Sequence, residues 1–545
     1  MTRRTFVRSS VAGAMALGLG SCSASPPAPA GTVRLAGGFF GFPSPFAYIA
    51  GPGYVQMSLL YDTLAWKDAR GRLLPWLAER WQRSGDGLRY RFTLRPGIRW
   101  HDGRLLTAQD VAFTFAYFAR QPLGPLIVAQ PYGVRSARAI DSRTVDIVLD
   151  RPVVTFLEAV AGTVPIIPRH VWSPIDDAPR AQDLNVLVGS GPYRVASYSP
   201  GEGATRYVAN DRYFLGAPFV RSIELHPVDD ELTALRAGVI DVAETPAEGV
   251  PPSTLSALRD DDALGIVQGS GGFSFPLIFN LGRGPLADVR VRRACALAID
   301  RGQIVQRLLG GNGQPGNPGF LPPDHPFAVR VESYAHDPRA AGGLLDAAGY
   351  RRSGGLRRAR DGTPLRLDIL TGNAPVPPTL DLLVAALRDI GVGLRPQSVD
   401  LPTLFGRTQQ GSFDLALTLY PGPGGTAPNS DPDTLRTFFS SRIRDRLQGA
   451  QGYADPELDR LAERQLVTAA AADRRRVVDR MQIIVARDLP ALPLYYPTLY
   501  TVFRKAALDR WRYTPGGFAG GLPGVINKQV LITGTEGGLR IRRRP

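Results

Sequence analysis

The 545 residues of this chain are too many for one compact hydrophobic core, so its length predicts two or more domains. Hydrophobic residues make up 44% of the chain and charged residues 21%, as in soluble globular proteins, and no segment reaches membrane-spanning length. A nucleic-acid-binding protein would concentrate its positive charge on one face among aromatic residues, whereas the formal charge of +15 is dispersed along this chain and indicates a solvated basic surface.

The chain begins with MTRRTFVRSSVAGAMALGLG, which has the form of an export signal. Arg3 and Arg4 give a charged start, and the apolar stretch from Val11 to Leu19 is shorter than the ~20 residues that span a bilayer. The paired arginines resemble a twin-arginine export signal. The sequence therefore predicts a protein that leaves the cytoplasm.

The segment Leu19-Gly20-Ser21-Cys22 resembles a bacterial lipobox, in which the cysteine is lipidated and becomes the new N-terminus. A tether rich in Ser, Pro and Ala follows at 23–31, so Cys22 is the predicted lipidation site and residues 1–22 the predicted signal. The alternative is an ordinary cleaved signal in which Cys22 is incidental. The arginine-rich end of the chain, 531–545, is predicted to be a disordered basic tail.

The first half of the chain mixes strands, hairpins and short helices. Predicted strands are TVRLA at 32–36, RYRFTL at 89–94, TVDIVL at 144–149, FLEAV at 156–160, TVPIIP at 163–168, the hairpin of SGPYRVASYSP with TRYVAND, and VIDVAE at 239–244. Predicted helices lie at 55–65, 108–119 and 229–237. Thr107 and Asp110 are predicted to cap the second of these helices.

From residue 285 helices and strands alternate, which predicts a second α/β unit with crossover helices. In VRRACALAID the residues Val291, Cys295 and Ala298 follow helical spacing and share an apolar face. Cys295 is therefore predicted to be a core thiol rather than a nucleophile.

Several motifs together resemble the solute-binding proteins of peptide, nickel and oligosaccharide ABC importers, the extracytoplasmic family 5. The motifs are LLYDTLAWKDARGRLLPWLAERWQRSGDGLRYRFTLRPGIRWHDGRLLTAQDVAFTF, GSGPYRVASYSPGEGATRYVANDRYFLGAP, FNLGRGPLADVRVRRACALAIDRGQIV and VARDLPALPLYYPTLYTVFRK. They occur in the order of the family and cover about residues 32 to 515.

The resemblance implies an α/β fold with mixed sheets flanked by helices. It implies a two-lobed, periplasmic-binding-protein-like clamshell of the large type II class, with hinge strands near Phe275–Asn280 and Leu492–Tyr496. The implied domains are lobe I at 32–65, 189–275 and 492–530, an extra subdomain of lobe I at 66–188, and lobe II at 276–491. The implied function is capture of a peptide-like or other small organic solute between the lobes and delivery to ABC permease subunits, by a monomer held at the membrane through a lipid anchor.

Three stretches are best placed to contact the solute: the loop at 39–42 with nearby Tyr54, Gly271-Gly272-Phe273, and Tyr420 to Asp433. The candidate ligand-binding residues are Phe40, Phe42, Tyr54, Phe273, Tyr420, Asn429 and Asp431. In peptide-binding members an Asp in the third stretch pairs with the amino terminus of the peptide. Here that position falls on Pro428, which predicts a ligand without a free α-amine, unless Asp431 or another acid supplies the charge.

The main alternative class is a hydrolase with the same clamshell fold, and a second alternative is a sensory or adhesion receptor that transports nothing. The sequence has no HExxH, GxSxG or GxxxxGK motif, so no catalytic residue and no cofactor are predicted. No protein metal site is predicted either, because the five histidines are far apart in sequence. His101 and Asp102 lie in the WHDG turn of the subdomain and are assigned no chemistry.

Overall fold

The structure is a computed structural model. The residues it describes are 31–38, 40–48, 50–67, 73–121, 133–244, 249–269, 273–372, 378–418, 420–421, 431–443, 451–507, 531, 535–536 and 539–540.

Lobe I is built on a mixed sheet that is seven-stranded within the described residues. Its strands, in spatial order, are Leu264–Gly269, Leu499–Arg504, Val242–Glu244, Thr32–Gly37, Ser222–Pro227, Ala204–Ala209 and Tyr193–Ser199. The strand Thr32–Gly37 runs parallel to both of its neighbours, and the predicted hairpin 193–209 is confirmed as an antiparallel pair. Arg34 and Asp241 form a buried ion pair of 2.8 Å inside this sheet.

The extra subdomain has its own four-stranded antiparallel sheet among the described residues. Its strands, in spatial order, are Ala78–Arg83, Arg89–Leu94, Thr144–Leu149 and Val134–Ala139. Helix Ala108–Phe118 covers the sheet and begins as predicted, since Asp110 Oδ2 accepts a hydrogen bond of 2.8 Å from the Thr107 N–H. The subdomain and lobe I share one continuous hydrophobic core, so the subdomain is not a separately packed body.

Lobe II is built on a five-stranded mixed sheet within the described residues. Its strands, in spatial order, are Gly393–Val399, Arg366–Gly372, Leu415–Leu417, Pro276–Phe279 and Ala491–Pro493. The first three run parallel to one another, and crossover helices cover the sheet as the alternating sequence predicts. Cys295 is fully buried in the core of this lobe, as predicted, and burial raises the pKa of its thiol to about 12.

The remaining elements complete the two lobes and the subdomain. The other helices are Ala50–Leu60, Arg169–Trp172, Glu231–Arg236, Pro252–Arg259, Val289–Ala298, Arg301–Leu309, Pro338–Ala347, Pro378–Asp389, Leu401–Gln409, Thr434–Phe439, Pro456–Val467 and Ala471–Asp488. Short turns of helix lie at Leu157–Ala161, Ala178–Arg180, Leu184–Val186 and Gly284–Ala287. Short strand pairs are Ala65–Lys67 with Leu73–Pro75, Gly313–Pro315 with Tyr495–Pro497, Arg351–Ser353 with Leu356–Arg358, Phe273–Ser274 with Tyr420–Pro421, and Thr535–Glu536 with Leu539–Arg540.

The chain crosses between the lobes twice, side by side. The first crossing leads into Pro276–Phe279, and the second leads out of Ala491–Pro493, which pairs with that strand. Between them Phe275 N–H donates to Tyr495 O at 3.2 Å, and the rings of these two residues stack with centroids 4.7 Å apart. The predicted hinge positions lie at these crossings. The domain limits themselves stay a prediction, although the strand at 491–493 belongs wholly to the lobe II sheet.

Two predicted strands are wrong. The segment FLEAV forms a π-helical turn, Leu157–Ala161, and TVPIIP at 163–168 belongs to no strand. Both segments are almost fully buried, with Val160 and Ile166 at 0% exposure. A short apolar run between turns fits a buried strand and a buried helical turn equally well, so sequence periodicity could not separate them.

Candidate functional site

Two of the three predicted ligand stretches meet at the crossing between the lobes. Strand Phe273–Ser274 pairs antiparallel with Tyr420–Pro421, so that Phe273 lies opposite Pro421 and Ser274 opposite Tyr420. Sequence placed these segments about 150 residues apart, and the backbone ladder brings them into contact. The pair continues the lobe II sheet beyond the carboxyl end of Leu415–Leu417, where α/β sheets place their ligands.

The remaining predicted stretch, the aromatic loop at 39–42, lies beyond the carboxyl end of strand Thr32–Gly37 in lobe I. Phe40 is half-buried, whereas Phe42 is only 3% exposed and packs edge-on against Tyr198, with ring centroids 5.6 Å apart. Tyr198 also donates a hydrogen bond of 3.1 Å to the carbonyl of Gly41. The loop is therefore fixed from below by Phe42, and Phe40 keeps surface for a ligand.

Tyr54, on helix Ala50–Leu60, is 2% exposed. Its hydroxyl donates a hydrogen bond of 2.7 Å to the carbonyl of Thr163, and its ring packs edge-on against Tyr48. Burial raises the pKa of Tyr54 well above its ordinary value, so the hydroxyl stays protonated. These contacts favour a supporting role for Tyr54, and ligand contact by Tyr54 or Phe42 stays an untested prediction.

Asp431 is 7% exposed and already has a cationic partner. The Arg474 guanidinium donates two hydrogen bonds to its carboxylate, at 2.8 and 2.7 Å, and the N–H of Asp433 donates a third at 2.8 Å. Burial lowers the pKa of Arg474. Hydrogen bonding to Asp431 and attraction by the carboxylates of Asp431, Asp433 and Glu158 outweigh burial, so the pKa of Arg474 is raised overall. The carboxylate of Asp431 is thus neutralised within the protein.

A second buried ion pair supports the same segment. Asp433 and Arg436, each 2% exposed at the side chain, are joined by two hydrogen bonds of 2.7 Å, and Gln465 also donates to Asp433. Gln465 in turn accepts a hydrogen bond of 2.7 Å from Arg474. The end of the predicted ligand stretch is therefore fixed by an interlinked polar network.

Several predicted residues lie outside the described part of the chain. These are Cys22 with the signal and tether, Phe39, Gly271, Gly272, Pro428, Asn429 and most of the basic tail. The backbones of Phe273 and Tyr420 lie in the two paired strands at the interlobe crossing.

The WHDG turn has a structural role. His101 Nε2 donates a hydrogen bond of 3.0 Å to the carbonyl of Gly191, and its Nδ1 accepts one of 3.1 Å from the N–H of Gly189. The bond that Nδ1 accepts requires the neutral ring, and burial lowers the pKa of His101 to about 4. Asp102 instead contacts His170, at 2.7 Å. The turn thereby joins the subdomain to the segment that leads back into lobe I.

We expect the protonation of His101 to weaken the fold in mild acid. Its pKa is near 6.5 in the unfolded chain and about 4 in the folded protein, so the unfolded chain binds more protons between these values. Stability should be fully present above pH 6.5 and fall by about 2–3 kcal/mol as the pH drops to 4. Urea unfolding of wild type and His101→Gln across this range measures the effect. An identical pH slope in the two proteins would contradict it.

The described residues contain no group of three or more His, Cys, Asp or Glu side chains that could hold a metal ion. Within the same residues, no helix combines the length and apolar character that crossing a bilayer requires.

Sequence reasoning missed the partners of Asp431. Arg474 lies 43 residues further along the chain, in the run DRRRVVD, which has the pattern of an amphipathic surface helix. Nothing in the local sequence marks Arg474 as different from Arg475 or Arg476. Only the packing of helix Ala471–Asp488 against helix Pro456–Val467 turns its side chain towards Asp431.

Comparison with known proteins agrees with this architecture. The model of the family described as "Bacterial extracellular solute-binding proteins, family 5 Middle" matches residues 72–444. Since this match covers more than half of the chain, the protein belongs to that family.

Individual relatives are distant but cover most of the chain. It is 29% identical over 463 residues to the probable di/tripeptide-binding protein 5 of Pseudomonas aeruginosa (strain UCBPP-PA14), covering 80% of this chain and 84% of that protein. NikZ from Campylobacter jejuni, solved in complex with Ni(L-His), has a TM-score of 0.76 at 24% identity and covers 88% and 95% of the two chains. A dipeptide binding protein from Pseudoalteromonas sp. SM9913, in complex with Met-Leu, has a TM-score of 0.77 at 20% identity, covering 94% and 100%. These structures confirm the two-lobed fold.

Proposed function

We propose that this protein captures a peptide-like or other small organic solute between its two lobes outside the cytoplasm and delivers it to an ABC importer. The observation that carries the proposal is the ladder of Phe273–Ser274 with Tyr420–Pro421, which joins two predicted ligand stretches beside the interlobe crossing. Membership of the solute-binding family and relatives named for di- and tripeptides support a peptide-like guest. Enclosure between lobes suits such a guest because it removes both faces of the solute from water.

The proposed contacts come from both lobes. Lobe I contributes Phe40, Phe42 and Tyr54. The crossing and lobe II contribute Phe273, Tyr420, Asn429 and Asp431. We assign direct contact to Phe40, Phe273, Tyr420 and Asn429. Phe42, Tyr54 and Asp431 are assigned to supporting positions, because their side chains are buried and engaged with protein groups.

The proposed setting is extracytoplasmic. Lipidation of Cys22 would hold the protein at one membrane surface, and the ABC permease subunits would be its partners there. It is proposed to act as a monomer, without nucleic acid, cofactor or resident metal, and to make or break no bond in its solute.

Binding measurements on the purified protein test this function. A library of di- to pentapeptides and their blocked forms, screened by thermal shift and confirmed by calorimetry, should yield a ligand that binds one to one. Scattering should show compaction on binding, and the ligand should be recovered unchanged. Conversion of the ligand would favour the hydrolase alternative. If the protein binds a ligand but no genes for ABC permease and ATPase subunits lie beside its own gene, the sensory or adhesion alternative is favoured.

A further inference from the structure

Lobe II also touches the extra subdomain, through residues that are not part of the interlobe crossing. The N–H of Val154, in the subdomain, donates a hydrogen bond of 2.8 Å to the carbonyl of Leu466, at the end of helix Pro456–Val467. Arg151 forms an ion pair with Glu463 of the same helix. Leu466 is fully buried and packs into the core shared by lobe I and the subdomain. The end of a lobe II helix thus contributes Leu466 to the core of the other lobe.

This contact is linked to the predicted ligand stretch by consecutive hydrogen bonds. Gln465, the neighbour of Leu466, accepts a hydrogen bond of 2.7 Å from Arg474. Arg474 holds Asp431, near the end of the predicted ligand stretch, through two further bonds. Arg474 and Gln465 therefore connect Asp431, which is the base of the ligand stretch, to the subdomain contact.

We propose that Arg151, Val154, Glu463 and Leu466 form an interlobe clasp that holds the subdomain against lobe II in the closed arrangement. We further infer that Arg474 and Gln465 couple this interlobe clasp to the base of the ligand stretch. A protein whose two lobes are joined by a hinge populates an open and a closed conformation. A contact made only in the closed conformation increases the population of that conformation. This inference does not depend on the identity of the solute.

Hydrogen exchange at the Val154 amide reports the interlobe clasp directly, because its acceptor belongs to the other lobe. Glu463→Arg places like charges at the ion pair and should raise the exchange rate of this amide about three- to tenfold in the ligand-free full chain. Exchange should return to within about twofold of wild type in the swapped variant Arg151→Glu/Glu463→Arg. Spin labels can be placed at Ser136→Cys and Arg352→Cys, which are both exposed positions. The distribution of distances between the two labels should broaden in Glu463→Arg and return towards that of wild type in the swapped variant.

A matched control lies on the same helix. Glu457 pairs with Arg480 at 2.7 Å, but both residues belong to lobe II, so Glu457→Arg should leave the exchange rate of Val154 unchanged. The interlobe clasp is overturned if Glu463→Arg and Glu457→Arg give the same rate at Val154, or if the charge swap restores nothing. Circular dichroism of each variant separates loss of the contact from loss of the fold.

The coupling has its own test. Arg474→Lys keeps the charge but cannot hold Asp431 and Gln465 in the bidentate geometry, and it should also speed exchange at Val154 about two- to fivefold. Arg480→Lys is the control, because Arg480 makes an equivalent two-bond contact with Glu457 within lobe II. Unchanged exchange in Arg474→Lys would overturn the coupling and leave the interlobe clasp standing.

Discussion

A free amino terminus should weaken the binding of a peptide to this protein by about 100-fold or more relative to its N-acetylated form. The stretch 422–430, GPGGTAPNS, contains no acidic residue, and the carboxylate of Asp431 is already neutralised by Arg474. Enclosing an ammonium group without a counter-charge costs several kcal/mol, and each 1.4 kcal/mol is a factor of about ten in affinity. Calorimetry with matched pairs, such as Ala-Leu-Ala and its N-acetyl form, measures the difference.

Peptides amidated at the carboxyl end provide the control for this experiment. They keep the amine and change the charge at the other terminus, so they separate a specific effect of the ammonium from a preference for low net charge. Tight binding of the free peptide that is lost on acetylation would show that another acid of this protein pairs with the amine.

Removing the cation of the buried pair Asp433–Arg436 should lower the free energy of unfolding of lobe II by about 3–5 kcal/mol. Arg436→Met approximates the volume of the side chain but removes the bidentate cationic partner of the Asp433 carboxylate, which stays buried because both side chains are 2% exposed. Urea unfolding followed by circular dichroism measures the loss.

Arg480→Met is the matched control for this substitution, because Arg480 makes a similar pair with Glu457 at the protein surface. Its side chain is 46% exposed, and exposed pairs contribute about 0–1 kcal/mol. If both variants lost the same stability, the pair of Asp433 and Arg436 would have no special role in holding the end of the ligand stretch.

Much of the fold could be predicted because its local patterns are strong. The alternation in RYRFTL and the capping pair Thr107 and Asp110 each specify an element without help from the rest of the chain. The apolar spacing around Cys295 predicted its burial for the same reason. The failures, FLEAV and TVPIIP, are short apolar runs whose form is decided by the surrounding core rather than by their own periodicity.

The candidate site was harder to predict because its partners are remote in sequence. The neighbourhood of Phe273 and Tyr420 followed from the family resemblance, and the ladder between them is now observed. The engagement of Asp431 by Arg474 and the insertion of Leu466 into the other lobe depend on helix packing, and no local pattern encodes them.

The double crossing also determines the order in which the protein can be completed as it is synthesised. The described strands of the lobe II sheet all lie between residues 276 and 493, whereas the lobe I strand Leu499–Arg504 is made only after them. That strand fills the gap between Val242–Glu244 and Leu264–Gly269. A nascent or truncated chain that ends before Leu499 therefore has a finished second half and an open edge in its first half, which is the kind of surface that recruits chaperones or aggregates.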